Sequence, residues 1–222
     1  MRPSPDEPRD FDLPGVTPSR QKRSRETTLA LLRVGADMLR TRSLAELSIE
    51  ALCTEVGATV GAFYSRFESK EAYFNALMAL AARDGEQRLR EIRSPSPDTS
   101  LDKLCTIIVG GIITWMRKHE GVLRAALQHD DTRPDTWSPF KALAKASTER
   151  ATPLLLPAMG KGRKAARTRT IAFGFQVVLG TLVNAILNEP GPLQLRSKEM
   201  ETRLAGCLLL VLGAEMNQST PR

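Results

Sequence analysis

Ser48, Thr59, Tyr64, Arg66 and Lys70 are the side chains whose types and spacing offer the clearest chemistry in this sequence. Tyr64 can present a phenolic hydroxyl to a phosphate; its other role would be core packing, which Phe63 and Phe67 suit better. Lys70 stands where a helix should begin, so its charge would join a positive helix end, a ready phosphate site. Ser48 and Thr59 carry hydroxyls that can bind a ligand or simply cap a helix. Arg66 can reach a guanine or a phosphate. Catalytic groups are scarce by comparison. The two histidines are His119 and His129, and His129-Asp130-Asp131 has nothing near it to complete a metal or acid–base set. We therefore expect no enzyme, no metal and no cofactor. Cys53, Cys105 and Cys207 are odd in number, far apart and set in apolar stretches. They read as small buried hydrophobes in a reducing compartment, with redox sensing as the alternative.

The elements that must position these groups are short helices. Ser24–Thr41 repeats apolar residues at helical spacing: Leu29, Leu32, Ala36 and Leu39. Ser48 caps a second helix that runs to Val56 and stops at Gly57, where a left-handed residue is easiest. Thr59 caps a third, running to about Phe67, and Ser69 caps a long fourth from Lys70 to about Ile92. Two short helices joined by a tight glycine turn have helix-turn-helix spacing. In such a unit the second helix can enter the major groove of DNA, although the same shape also occurs as a plain packing unit. Between Ala58 and Arg66 long polar side chains are few. Val60 and Ala62 could touch thymine methyls, and Gly61 would let the helix sit close. DNA shape would then carry a share of specificity. Arg20, Lys22, Arg23 and Arg25 precede the first helix as a basic arm or a solvated charge run. A second basic cluster, Lys161 to Arg169, reads as surface.

The run Ser48-Ile49-Glu50-Ala51-Leu52-Cys53 to Lys70-Glu71 closely resembles the DNA-binding signature of the TetR (tetracycline-repressor) family. Gly57, Thr59, Gly61, Tyr64, Phe67, Ser69 and Lys70 all fall at the family's offsets, and the likeness spans about Ser24 to Ala76. Two positions depart from it. Leu52-Cys53 replaces Ile-Ala, and Ser43 replaces the usual glycine after the first helix, which suggests a looser or differently shaped turn. The resemblance implies phosphate contacts from Ser48, Thr59, Tyr64 and Lys70. It also implies a C-terminal part that binds an effector and forms a homodimer, with repression as the usual mode.

Composition agrees with this outline. The chain has 222 residues, a net charge of +7 and a pI near 9.7, a balance that suits nucleic acid or an anionic membrane surface. Hydrophobic residues make up 41 % and aromatic residues only 5 %, which favours helix. The proline-rich start, 1–18, reads as a disordered tail with Phe11 and Leu13 as possible docking points; it lacks a signal peptide's apolar core. The apolar run Ile171 to Leu187 falls short of a membrane span. We expect an all-α protein: a three-helix DNA-binding domain over 19–76 and a helical bundle over 77–222. Further helices are expected at Leu101–Lys118, Glu120–His129, Phe140 to about Met159, Lys164–Leu187 and Ser197 to about Met216. The Gly110-Gly111 pair leaves room for close packing or for a cavity lined by Gly111, Trp115, Phe140 and Phe173, with Gln176 or Asn184 orienting a polar group. The last two helices are apolar on nearly every face, which implies a second copy. Phe175, Leu179, Leu182, Leu209 and Leu212 are the expected dimer contacts. The expected function is a cytoplasmic regulator that binds double-stranded operator DNA and responds to a small, mostly apolar molecule. The alternative is a helical ligand-binding or scaffolding protein without specific DNA binding.

Overall fold

Ser48, Thr59 and Ser69 each cap a helix as their spacing predicts, accepting from the amides of Ala51, Ala62 and Ala72 at 3.2, 3.0 and 3.0 Å. A computed structural model of the chain describes residues 13–17, 21–92, 96, 98–128, 138–188 and 191–218. In chain order the helices are α1 (Lys22–Met38), α2 (Ile49–Val56), α3 (Val60–Tyr64) and α4 (Lys70–Glu91). Then come α5 (Leu101–Lys118), α6 (Glu120–Gln128), α7 (Ser138–Ala158), α8 (Lys164–Asn188) and α9 (Lys198–Gln218). The fold is all-α, and no strand occurs among the described residues.

The N-terminal unit closes around aromatic rings. Phe63, Phe67 and Tyr73 are fully buried and pack with ring centroids 4.9–5.2 Å apart. The Tyr73 hydroxyl reaches into α1 and donates to the Leu31 carbonyl at 2.7 Å. It occupies the space that a side chain at Gly35 would need, so Gly35 is required for α4 to approach α1. Gly57 ends α2 at φ +69°, the left-handed region expected of it.

Three local expectations change. α1 begins at Lys22, so Lys22, Arg23 and Arg25 lie in its first turn and not ahead of it. Residues 13–17 are not a free tail. Leu13 is buried, Val16 bridges to Phe67, and the Thr17 amide donates to the Arg66 carbonyl at 2.8 Å. The turn at Ser43 is closed and not loose. Its amide and hydroxyl both donate to the Glu46 carboxylate, at 2.8 and 2.9 Å, and the Glu46 amide donates back to its hydroxyl. These bonds from the Ser43 backbone and side chain hold Glu46 below its ordinary value.

The C-terminal helices form a bundle in which α5 packs on α9, α9 on α8, α8 on α7 and α7 on α4. α5 has two working faces. Leu104, Val109, Ile113 and Met116 are buried, whereas Ile107 and Gly111 are exposed. Pro153 and Pro157 both lie inside α7, which continues to Ala158. α8 has 25 residues and is long and apolar enough, by length and composition, to cross a membrane. Ile171, Phe175, Val178 and Leu182 of that helix are nevertheless buried within this fold.

Candidate nucleic-acid interface and ligand cavity

α3 is short because only two of its residues need a core. Phe63 and, just beyond the helix, Phe67 anchor it, while Thr59, Val60, Gly61, Tyr64 and Ser65 stay exposed. Tyr64 is 53 % exposed with its ring set edge-on against Phe63, so packing fixes the ring and leaves the hydroxyl in water. A side chain at Gly61 would meet nothing nearer than the Thr59 hydroxyl at 3.9 Å. Nothing inside the protein therefore explains the glycine, whereas a close external surface would. The Ser48 and Thr59 hydroxyls accept from amides and keep a proton to donate outward. Lys70 donates one of its three N–H groups to the Ala45 carbonyl at 3.1 Å, which steadies it beside the α4 N-terminus. Thus Ser48, Thr59, Val60, Gly61 and Tyr64 are exposed, and Ala62 and Lys70 are half-buried.

Arg66 is different. Its guanidinium turns inward, donating to the Ser24 hydroxyl at 3.1 Å, the Ser24 carbonyl, the Ser65 hydroxyl and the Ala62 carbonyl. It ties the end of α3 to the start of α1 and is not placed to read a base. Lys22, Arg23 and Arg25 sit at the positive end of the α1 dipole, with no acidic residue in that turn. Cations there repel the helix end and concentrate positive potential, which suits a polyanion. Arg20 and His129-Asp130-Asp131 lie outside the described residues.

The bundle holds a cavity of about 600 Å³ between α4, α5, α6, α7 and α8. Gly111, Trp115 and Phe140 line it as expected, together with Ile108, Ile112, Leu127 and Val183. Phe173, Gln176 and Asn184 do not; all three are exposed. Phe175 and Leu179, expected at a dimer contact, line the cavity instead. Leu182 and Leu212 are fully buried within the chain, and Leu209 is half-buried. The sequence misassigned these faces because α8 is apolar all round, so periodicity cannot tell its inner side from its outer. The outer side bears Phe173, 56 % exposed, and α9 adds Leu210 at 76 %. Gly180 of α8 and Gly206 and Gly213 of α9 have open space where a side chain would stand.

Arg88 and Lys141 also line the cavity and are the charged residues among its described lining. The sequence carried no signal for them, since each sits in a mixed stretch of an amphipathic helix. Trp115 spends its indole N–H on the Ala81 carbonyl at 3.1 Å and so contributes surface and not a hydrogen bond. Beside the cavity, Asp84 accepts from Lys118 at 2.7 Å and from Arg88 at 3.2 Å, and pairs with His119 at 2.9 Å. Burial pushes Asp84 up, but the hydrogen bonds from Lys118 and His119 outweigh it and hold the carboxyl at about 2. Burial holds His119 below its ordinary value despite the Asp84 carboxylate. Cys53 and Cys105 are buried; burial raises both thiols, Cys105 to about 11, which disfavours the reactive thiolate. Among the described residues no group of three or more potential ligands could hold a metal ion.

α6 joins the two halves. A side chain at Gly121 would stand 2.6 Å from the backbone of Leu39 and Arg40 at the end of α1, so the helices touch backbone to backbone. Arg124 donates to the Arg40 carbonyl at 3.2 Å. Glu120 takes Arg124 on one oxygen and Arg196 on the other, at 3.2 and 3.0 Å.

Residues 31–77 match the sequence profile of bacterial regulatory proteins of the tetR family. No relative among curated proteins matches the chain. Solved structures with the same fold include a tetR-family transcriptional regulator from Streptomyces coelicolor, at 18 % identity and a TM-score of 0.63 over 87 % of this chain and 88 % of that one. A transcriptional regulator from Cytophaga hutchinsonii aligns at 14 % identity and a TM-score of 0.60, over 89 % and 98 % of the two chains. AmtR of Mycobacterium smegmatis aligns at 16 % identity and a TM-score of 0.53, over 89 % of each.

Proposed function

We propose that this chain, a member of the tetR family of bacterial regulatory proteins, is a cytoplasmic homodimeric repressor that releases its operator when a small, mostly apolar molecule fills the bundle cavity. Such regulators are DNA-binding proteins and not enzymes. The observation that carries the reading is Gly61: it is exposed, unexplained by internal packing, and flanked by Thr59, Val60 and Tyr64 on the outer side of α3. That surface can lie close to a groove floor, with Val60 and Ala62 against thymine methyls. Ser48, Thr59, Tyr64 and Lys70 would hold the flanking phosphates. The DNA-binding unit spans 19–76 and the effector and dimer unit 77–222, with α4 running through the boundary.

The dimer forms through the outer side of α8 and α9, where Phe173 and Leu210 are exposed and Gly180, Gly206 and Gly213 allow close approach. Pairing two such units spaces the two α3 helices for successive major grooves. A ligand in the cavity touches α4 and α6 at once. Both lead to the DNA-binding unit, α4 by continuity and α6 through Gly121 on α1. A ligand that fits one arrangement of these helices better shifts the spacing, and DNA and ligand then weaken each other by one factor.

The test is DNA bound as a function of salt. Affinity should fall steeply with salt, Tyr64→Ala and Lys70→Ala should weaken binding to every sequence, and Lys70→Ala should lower the salt slope by about one. A chain with no salt-dependent DNA affinity would instead be a ligand-binding or scaffolding protein.

A further inference from the structure

The cavity's charges point to the kind of molecule it takes. Nearly all of its described lining is aliphatic or aromatic, and the charged members among the described residues are both cations, Arg88 on α4 and Lys141 on α7. Among the described residues no carboxylate lines it. Arg88 and Lys141 are exposed and sit on packed helices: α4 contacts α7, and a side chain at Gly85 of α4 would run into the methyl groups of Leu143 of α7. Both cations are thus exposed lining residues of one cavity whose other described lining is almost entirely apolar.

Arg88 is not spent on its neighbour. Only its Nε donates to Asp84, and a guanidinium has four further N–H groups on its two terminal nitrogens. Asp84 also holds Lys118 and His119, so the local cations outnumber the one carboxylate. An exposed pair of this kind contributes little to stability and leaves the guanidinium free to turn to a second anion.

We propose that the effector is an amphiphilic anion: an apolar chain or ring system buried against Ile108, Ile112, Phe140 and Phe175, ending in a carboxylate held by Arg88 and Lys141. An uncharged apolar molecule would fill the same depth and draw on neither cation. A cationic one would meet like charge. This rests on the reading of the cavity as the effector site.

The experiment uses three probes with one ten-carbon chain, decanoate, decanol and decyltrimethylammonium, titrated calorimetrically into the full-length protein. Wild type should bind decanoate about tenfold or more tighter than decanol, with the ammonium compound weakest. The double variant Arg88→Gln/Lys141→Gln should lose that preference and keep its decanol affinity. Both side chains are exposed, so the variant folds, which its circular dichroism and melting curve will verify. Gly111→Leu, whose side chain projects into the cavity, should weaken all binding. Equal affinity for decanoate and decanol, or a preference that survives the double variant, overturns the head-group assignment and leaves the cavity reading standing. Binding unaffected by Gly111→Leu, or no binding of any probe, overturns both.

Discussion

Replacing Gly35 by alanine would force a methyl group into the Tyr73 hydroxyl. α4 must then move off α1 or Tyr73 must give up its bond to Leu31, and either costs about 1–3 kcal/mol. Thermal unfolding should show that loss, with Tyr73→Phe losing less because the ring still packs. Arg66→Ala makes a contrasting case. Two of its donations reach Ser24 of α1 and two stay at the end of α3, so the variant should lose about 1–2 kcal/mol of stability. Its preferred DNA sequence should stay the same, whereas Val60→Ala should shift it. Selection from a random DNA pool distinguishes the two; a changed preference in Arg66→Ala would return that residue to base reading. The residue types around α3 were legible in the sequence because caps, glycines and aromatic anchors act locally. The turning of Arg66 was not, since Ser24 lies 42 residues away in the chain.

At the level of elements, helix existence was read well and helix facing was not. Caps and breakers placed α2, α3, α4 and α5, because their cause lies within a few residues. α8 is apolar on nearly every face and carries few polar side chains to orient it, so Phe175 and Leu179 were exchanged with Phe173 and Gln176. The exchange changes which substitution tests the dimer. Phe173→Glu or Leu210→Glu puts a charge on the exposed side and should yield a folded monomer by sedimentation. Leu182→Glu buries a charge in the chain's own core and should unfold the protein, by about 3 kcal/mol or more. If Phe173→Glu and Leu210→Glu both remain dimeric, the interface lies on another surface.

For the molecule as a whole, the α4–α5 junction sets a dependence on acidity. His119 is held below its ordinary 6.5, so the folded chain binds fewer protons there than the unfolded one. Stability is complete above 6.5 and falls as pH drops below it. Asp84, at about 2 against an ordinary 3.8, adds a second loss as pH falls from about 3.8 towards 2. The melting temperature should therefore decline in two stages on acidification. His119→Gln should abolish the first stage and keep the second; an unchanged profile in that variant would place the titration elsewhere. The cavity itself was half legible: the Gly110-Gly111 pair marked its wall, but Arg88 and Lys141 became part of it only when α4 and α7 met.

The packing of α5 on α9 also sets a timetable. During synthesis at about 5–20 residues per second, α5 lacks its main packing partner until α9, beginning at Lys198, emerges several seconds after Lys118. α1 to α4 pack on one another and, among the later helices, chiefly on α6 and α7, so they can fold before α9 is made. A nascent chain stalled before Lys198 should accordingly carry a protease-resistant N-terminal unit and a bundle that binds hydrophobic dyes and chaperones. Under the proposed function, the chain would begin life as a finished DNA-facing head on an unfinished body, and could neither pair nor sense an effector until its final helix was delivered.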